Sequence, residues 1–433
     1  MRTTPTNLLD DSFFHIERPS EPWNIHLEVG LEGRVNPQRL ATAIEAAGQA
    51  HPMARARLAP HGAMSTAYHW DIPDRFDAMP LTVLKADDEE AVQAHRERLV
   101  SLQPPSNHSP AFAVSLIQGP VSDTLLIMLN HVLADGLSTF RLINSIMRHY
   151  AGEPDPVPDF DPLSRRDLKS MVGSRSVKET IERASILAKH LLRSASPPQR
   201  VAPDCAKPDE GYGCVLQGFT AQETQAFMAR RQKPATVNDM LIAGMLMTIH
   251  RWNAERSDGK GRISTLMPVN VRPQEWWFEV LGNYSSYVSV SLEAKQLADF
   301  GTAVSAVNAQ TEQLKHAGAA GILVDLLDIP KFLPSVLKGR LKDITPTLGR
   351  NLVESTWVSN IGRLGEAPSM GDAGKVTSLY FSPPAPAPMG MSMGIASMES
   401  CMYLSYRYRR AVLDGPAAED FAKLCKTVLL GAS

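Results

Sequence analysis

The segment Leu129-Asn130-His131-Val132-Leu133-Ala134-Asp135-Gly136 gathers groups able to do chemistry. His131 ends an apolar run, Thr124 to Asn130, that reads as a central strand, at the point where the chain must turn before the next helix. Strand ends that open onto loops are where α/β proteins place reacting groups. Imidazole has an unperturbed pKa of about 6.5 and serves as a general base near neutral pH. Asp135, four residues on, is placed to hold the turn, through local backbone or through a cation from elsewhere. Gly136 permits a backbone angle or a close approach that a side chain would block. From spacing alone, a packed strand-end histidine remains equally open. A metal site would need further ligands, and neither Asn130 nor His149 completes a set.

Other motifs fail on context. Gly390-Met391-Ser392-Met393-Gly394 spells a nucleophile elbow, but Pro383 to Pro388 precede it and no histidine follows His316. Gly371-Asp372-Ala373-Gly374-Lys375 has the wrong spacing for a phosphate loop, and Val376 stands where Ser or Thr is needed. No strand leads into a G-x-G-x-x-G.

The positioning elements are mixed. Ile25, Leu27, Val29 and Leu31 alternate with polar residues, as in a half-buried strand. Asn36-Pro37 starts a helix through Leu40, Ile44 and Ala47. Strands are expected at Ala111–Gln118 and Thr124–Asn130, then a helix at Leu137–Tyr150. Residues 194–213, rich in Pro, Gly and polar types, read as a linker between lobes at 1–193 and 214–433. Beyond it, Thr220 and Glu223 form a capping box, and helices are expected at Val237–Asn253, Leu297–Lys315, Ile322–Leu337 and Ala417–Leu430. Strands fall near Ile263–Val269, Tyr287–Leu292, Thr356–Asn360 and Met402–Tyr408. The class is α/β, in the mixed α+β sense.

The 433 residues carry 44 Lys and Arg against 46 Asp and Glu, a formal charge of −2, with 43% hydrophobic residues. That supports a large core and offers no electrostatic footprint for nucleic acid. No apolar run approaches the ~20 residues of a membrane span, and the N-terminus lacks a signal-peptide core. Cys205, Cys214, Cys401 and Cys425 are too scattered for a disulfide framework. A cytoplasmic monomer is the expectation.

His131 to Gly136, H-x-x-x-D-G, resembles the signature of the CoA-dependent acyltransferase superfamily, which includes chloramphenicol acetyltransferase, condensation domains and wax ester synthase/diacylglycerol acyltransferases. Further segments agree in order: Asp11-Ser12-Phe13-Phe14-His15-Ile16-Glu17; His51-Pro52 with Arg55 and Arg57; Val237-Asn238-Asp239; Pro268-Val269-Asn270-Val271-Arg272 with Gly282-Asn283; and Val358-Ser359-Asn360-Ile361-Gly362. The chain departs from the pattern where Asn130 replaces a first histidine. It departs again at Pro110-Ala111-Phe112 and at Gly362-Arg363-Leu364-Gly365.

The resemblance implies two chloramphenicol-acetyltransferase-like lobes with an active-site tunnel between them and His131 at its centre. His131 would take a proton from an acceptor hydroxyl or amine, which attacks a thioester directly, with no acyl-enzyme. Asp135 would be structural and paired with Arg272, and Gly136 would shape the turn. Ser359 or Asn360, or backbone near Gly136, would supply oxyanion donors. Asn130 is a further tunnel candidate, and Asn238 either shapes the site or caps its helix. No cofactor or metal is bound; acyl-CoA or an acyl-carrier-protein thioester is the co-substrate, and an apolar alcohol the leading acceptor. A carrier protein would dock on basic residues such as Arg165, Arg166, Lys169 and Arg175. Met389, Met391, Met393 and Met398 either line an acyl tunnel or fill the core. The Ile322–Leu337 helix, with Lys338, Arg340 and Lys342, either packs between lobes or touches a lipid surface.

Overall fold

The computed structural model describes residues 1–18, 20–257, 261–276, 279–340, 343, 350–364 and 367–431. Lys342 and Gly365 of the sequence reading lie outside them. The first half supplies helix α1 (Leu8–Ile16), strand β1 (Asn24–Leu31), α2 (Pro37–Ala50), β2 (Leu81–Lys85), α3 (Glu89–Val100), β3 (Phe112–Gln118), β4 (Asp123–Asn130), α4 (Gly136–Ala151) and α5 (Val177–Arg193). The second supplies β5 (Tyr212–Phe219), α6 (Val237–Ala254), β6 (Ile263–Asn270), β7 (Ser285–Leu292), α7 (Phe300–His316), α8 (Ala320–Asp328), β8 (Thr356–Leu364), β9 (Val376–Ser382), β10 (Met391–Met398), β11 (Cys401–Arg409) and α9 (Gly415–Leu430).

These strands build two mixed sheets, one in each lobe. The first runs β9-β1-β4-β3-β2 and the second β7-β6-β8-β10-β11-β5. A small third sheet joins Arg2–Pro5, Arg57–Leu58 and His69–Ile72. Strand β9 crosses back from the second half and pairs antiparallel with β1, Tyr380 opposite Glu28, so the first lobe's sheet is completed by the second half of the chain. Gly394 makes this crossing possible, since a Cβ there would lie 1.8 Å from the Phe381 carbonyl oxygen.

Two expectations change, and one holds. Strand β1 is buried on both faces, because Arg96 of α3 covers its polar side and pairs with Glu28 at 2.6 and 2.7 Å. The expected helix over Ile322–Leu337 is broken. Helix α8 stops at Asp328, Ile329–Phe332 forms a 3-10 turn, and Ser335–Lys338 a separate single turn. Pro330 has no N–H to give the Leu326 carbonyl, and Pro334 repeats the interruption. Ser392 of the elbow-like motif lies inside β10, fully buried, donating to the Pro383 carbonyl at 3.1 Å.

Candidate active site

The turn after β4 is held by side chains that satisfy its backbone groups. His131 N–H donates to the Trp23 carbonyl at 2.7 Å, and Val132 N–H to Asn130 Oδ1 at 2.8 Å. The His131 and Val132 carbonyls accept from Asn283 Nδ2 at 2.6 and 3.0 Å. Asn130 directs its two amide N–H donors to the Pro104 carbonyl at 2.8 Å and to Glu17 Oε2 at 3.5 Å. It therefore braces the turn with both donors engaged, which corrects its assignment as an oxyanion donor.

Asp135 ends the turn as the N-cap of α4, accepting from Ser138 N–H at 3.0 Å. Arg272 grips the same carboxylate in a fork, Nη1 to Oδ2 at 2.8 Å and Nη2 to Oδ1 at 2.9 Å, and Tyr284 N–H adds a bond at 2.9 Å. Burial pushes this carboxyl up, but the Arg272 charge and these donors outweigh it and hold it below the usual range. Gly282 completes the clamp. Its carbonyl accepts from Asp135 N–H and Arg272 Nη2, and its φ of +152° suits glycine. At Gly136 an added Cβ would sit 2.8 Å from the Phe381 ring, so the crossing strand presses directly on the start of α4.

A second buried pair supports the turn from below. Asp10 of α1 accepts from Arg166 at 2.5 Å, Trp70 Nε1 at 2.9 Å and Asn283 Nδ2 at 3.2 Å. Arg166 is thus buried and committed to Asp10, and does not belong to a docking surface as the sequence suggested. Its charge had looked like part of a solvated run only because Asp10 is distant in sequence.

The imidazole itself is enclosed. The Phe13 ring stacks on it at 4.1 Å and Trp357 lies 6.3 Å away, centroid to centroid. His131 is 3% exposed. Burial lowers its pKa to about 4, against the opposing influence of its own carbonyl and the Asp135 charge. It is therefore neutral near pH 7. The Tyr287 hydroxyl stands 3.2 Å from Nε2. Burial raises the Tyr287 phenol well above its ordinary value, so it stays protonated and is able to donate to an Nε2 lone pair. In that tautomer the ring proton is on Nδ1, which among the described residues faces only the residue's own carbonyl.

Strand parity separates the oxyanion candidates. Trp357 and Ser359 share one face of β8 by strand alternation, before the register shift between Asn360 and Arg363. Trp357 faces the imidazole, and Ile361 lies 3.4 Å from where a Gly136 Cβ would stand. Ser359 sits between them along the strand. Asn360 points the other way, its Oδ1 accepting from Gly362 N–H at 2.9 Å. Asn238 is not the cap: Thr236 caps α6, and Asn238 donates to Met267 Sδ at 3.0 Å beside the second sheet's core. Met389, Met391, Met393 and Met398 are buried core residues. Past Ile361 the same strand opens into a cavity of about 580 Å³ lined by Phe140, Arg141, Asn144, Arg148, Arg363 and Leu364.

Sequence reasoning missed Phe13, Trp357, Tyr287 and Trp23 as the box around the imidazole. For Tyr287 a signal existed: it is the single large side chain on the Ser285, Ser289, Ser291 face of β7.

Comparison with known proteins places this geometry. A family model described as Condensation domain matches residues 13–332. The uncharacterized protein Rv2305 of Mycobacterium tuberculosis (strain ATCC 25618 / H37Rv) is 34% identical, covering 99% of each chain. Among solved structures, the first condensation domain of the calcium-dependent antibiotic synthetase, in complex with a substrate analogue, aligns with a TM-score of 0.74 at 14% identity, over 99% of this chain and 96% of that one. TRI3 trichothecene 15-O-acetyltransferase from Fusarium sporotrichioides aligns with a TM-score of 0.74 at 11% identity, over 99% and 95%.

Proposed function

The chain belongs to the condensation domain family, which makes it an acyltransferase by class, and within that class we propose that it moves an acyl group from a CoA thioester to the hydroxyl of an apolar alcohol. His131 is the general base. With the Tyr287 hydroxyl displaced from it, Nε2 offers its lone pair and takes the acceptor's proton as the acceptor oxygen attacks the thioester carbonyl. The tetrahedral intermediate then collapses, the C–S bond breaks, and the thiolate leaves with the proton that His131 returns. Ser359 donates to the oxyanion, while Asp135, Arg272 and Asn283 fix the direction of the imidazole.

One observation carries this reading: a hydroxyl, that of Tyr287, already lies 3.2 Å from Nε2 of a neutral, buried imidazole. It stands where an acceptor hydroxyl must stand. The enclosing rings of Phe13, Trp23, Trp357 and Tyr287 suit an apolar acceptor and exclude water, which would otherwise hydrolyse the thioester. The cavity beside α4 is the proposed approach for one substrate.

A second reading keeps the chemistry and changes the donor to a carrier-protein thioester, forming an amide or ester. The family match favours it. Purified protein is incubated with acyl-CoAs of several lengths and a panel of alcohols and amines, and thiol release is followed colorimetrically. Release that needs an alcohol supports the first reading. Release from acyl-CoA that needs an amine overturns the alcohol acceptor, and release that occurs only when an acylated carrier protein replaces acyl-CoA overturns the first reading in favour of the second.

A further inference from the structure

The indole of Trp357 carries a donor that the fold does not use. The residue is 2% exposed, yet its Nε1–H meets no hydrogen-bond acceptor among the described residues. Buried donors are almost always paired, because an unpaired one forfeits its bond to water and gains nothing in exchange. Packing alone does not call for an indole, since a phenylalanine would supply an aromatic face and strand no polar group.

The ring stands where a substrate must pass. Its centroid lies 6.3 Å from the imidazole of His131, 6.0 Å from Trp23 and 5.0 Å from Tyr287, edge-on to the last at 90°. Tyr287 holds its hydroxyl beside His131 Nε2, which is the position of the acceptor hydroxyl in the transfer reaction. The indole therefore lines the place that the acceptor enters.

Strand pairing leaves room beside it. Strand β8 runs parallel to β6 with only Thr356 opposite Thr265 and Trp357 opposite Leu266; past Trp357 no residue of one strand pairs with the other. Pro268, on the Leu266 side of β6, lies opposite Tyr287 on β7, so Trp357 and Tyr287 face one slot from its two walls. Asn270 follows on that side, and its Nδ2 is also buried without an acceptor among the described residues. A slot with two unused donors is built for a ligand oxygen, not for hydrocarbon alone.

We propose that Trp357 binds the acceptor, its Nε1–H donating to a second acceptor oxygen, an ether, hydroxyl or carbonyl a few bonds from the reacting hydroxyl. The acceptor is then an apolar alcohol that carries one oxygen more, and a plain alkanol leaves the indole N–H stranded. The thioester carbonyl belongs to Ser359, roughly 7 Å further along the strand, whereas Tyr287, the ring that meets the indole edge-on, marks the acceptor. This inference rests on the acyl-transfer reading, whose acceptor it narrows.

The acceptors 2-butoxyethanol and 1-heptanol differ by one oxygen in place of a methylene. In the thiol-release assay Trp357→Phe is expected to lower kcat/KM for 2-butoxyethanol about tenfold more than for 1-heptanol, the share of one hydrogen bond. A ring that only packs would cost both acceptors alike. Binding is read separately, without donor or turnover, in full-length protein labelled with nitrogen-15 at its six indoles. The Trp357 signal, identified by its loss in Trp357→Phe or in Trp357→Tyr, should move downfield with 2-butoxyethanol and stay in place with 1-heptanol. Circular dichroism verifies that the variants are folded. Equal losses on the two acceptors, or an indole signal that neither alcohol moves or that both move alike, overturn the proposal. Absence of thiol release with every acceptor, beside a selective indole shift, would sink the transfer reading and leave this assignment standing.

Discussion

Removing the Asp135 carboxylate should cost far more stability than an ordinary surface charge. In Asp135→Ala the Arg272 guanidinium remains fully buried with no counter-charge, at a cost of about 3–5 kcal/mol. Loss of the N-cap of α4 adds about 1 kcal/mol. The sum, about 4–6 kcal/mol, is comparable with the whole stability of many domains. Asp135→Asn keeps the shape and part of the cap, and Arg272→Met removes the partner charge. In urea unfolding at about pH 7.5, each single variant should lose several kcal/mol, and the double variant clearly less than their sum, because no stranded charge is left. The carboxyl is held below its usual pKa, so its stabilisation is complete above about pH 4 and fades as pH falls through the lowered folded value. The reasoning fails if the single costs are below about 1 kcal/mol or if the variants are additive. A fully stable but inactive Asp135→Asn would also refute it, since the carboxylate would then act on the chemistry.

Further outcomes follow from the same geometry. Ser359→Ala should lower kcat by about 10²–10³, the cost of one oxyanion donor, while Asn360→Ala should leave kcat near wild type in the same thiol-release assay. Tyr287→Phe removes the hydroxyl that competes for Nε2. The acceptor KM should then fall by roughly fivefold, one net hydrogen bond, with little change in kcat; a collapse of kcat would instead make the phenol part of the chemistry. His26 is fully buried, and among the described residues neither ring nitrogen meets a hydrogen-bond partner; burial with the Arg96 and Arg407 charges lowers its pKa to about 3. Between that value and about 6.5 the unfolded chain binds the extra proton, so stability falls as pH falls. His26→Leu should therefore gain about 2 kcal/mol more over wild type at about pH 5 than at about pH 7.5, read by urea unfolding.

Much of this arrangement is legible in the residues, wherever one local rule decides the outcome. The Leu137–Tyr150 helix is observed as Gly136–Ala151, because Asp135 caps it and Gly152 ends it. The Arg272 partner of Asp135 comes from the resemblance, which implies an arginine partner for that aspartate and offers Arg272 in the Pro268–Arg272 segment. What escapes notice is set by distant parts of the chain. Strand β9 reaches the first sheet through a crossover that no periodicity encodes. Glu28 and Arg166 read as solvated charges until Arg96 and Asp10 are brought beside them. Helix α1 has too few turns for a periodic signal, yet it carries Phe13 onto His131. The Ile322–Leu337 reading followed apolar spacing and gave Pro330 and Pro334 too little weight.

The central claim is that His131 acts as base in a direct transfer. Wild type and His131→Ala, both verified as folded by circular dichroism, are compared for acceptor-dependent thiol release from acyl-CoA. The account predicts a loss of about 10²–10⁴ in the variant, with no acylated protein in intact mass spectra of rapidly quenched wild-type reactions. Undiminished release by His131→Ala, or a covalently acylated wild-type chain, would contradict it.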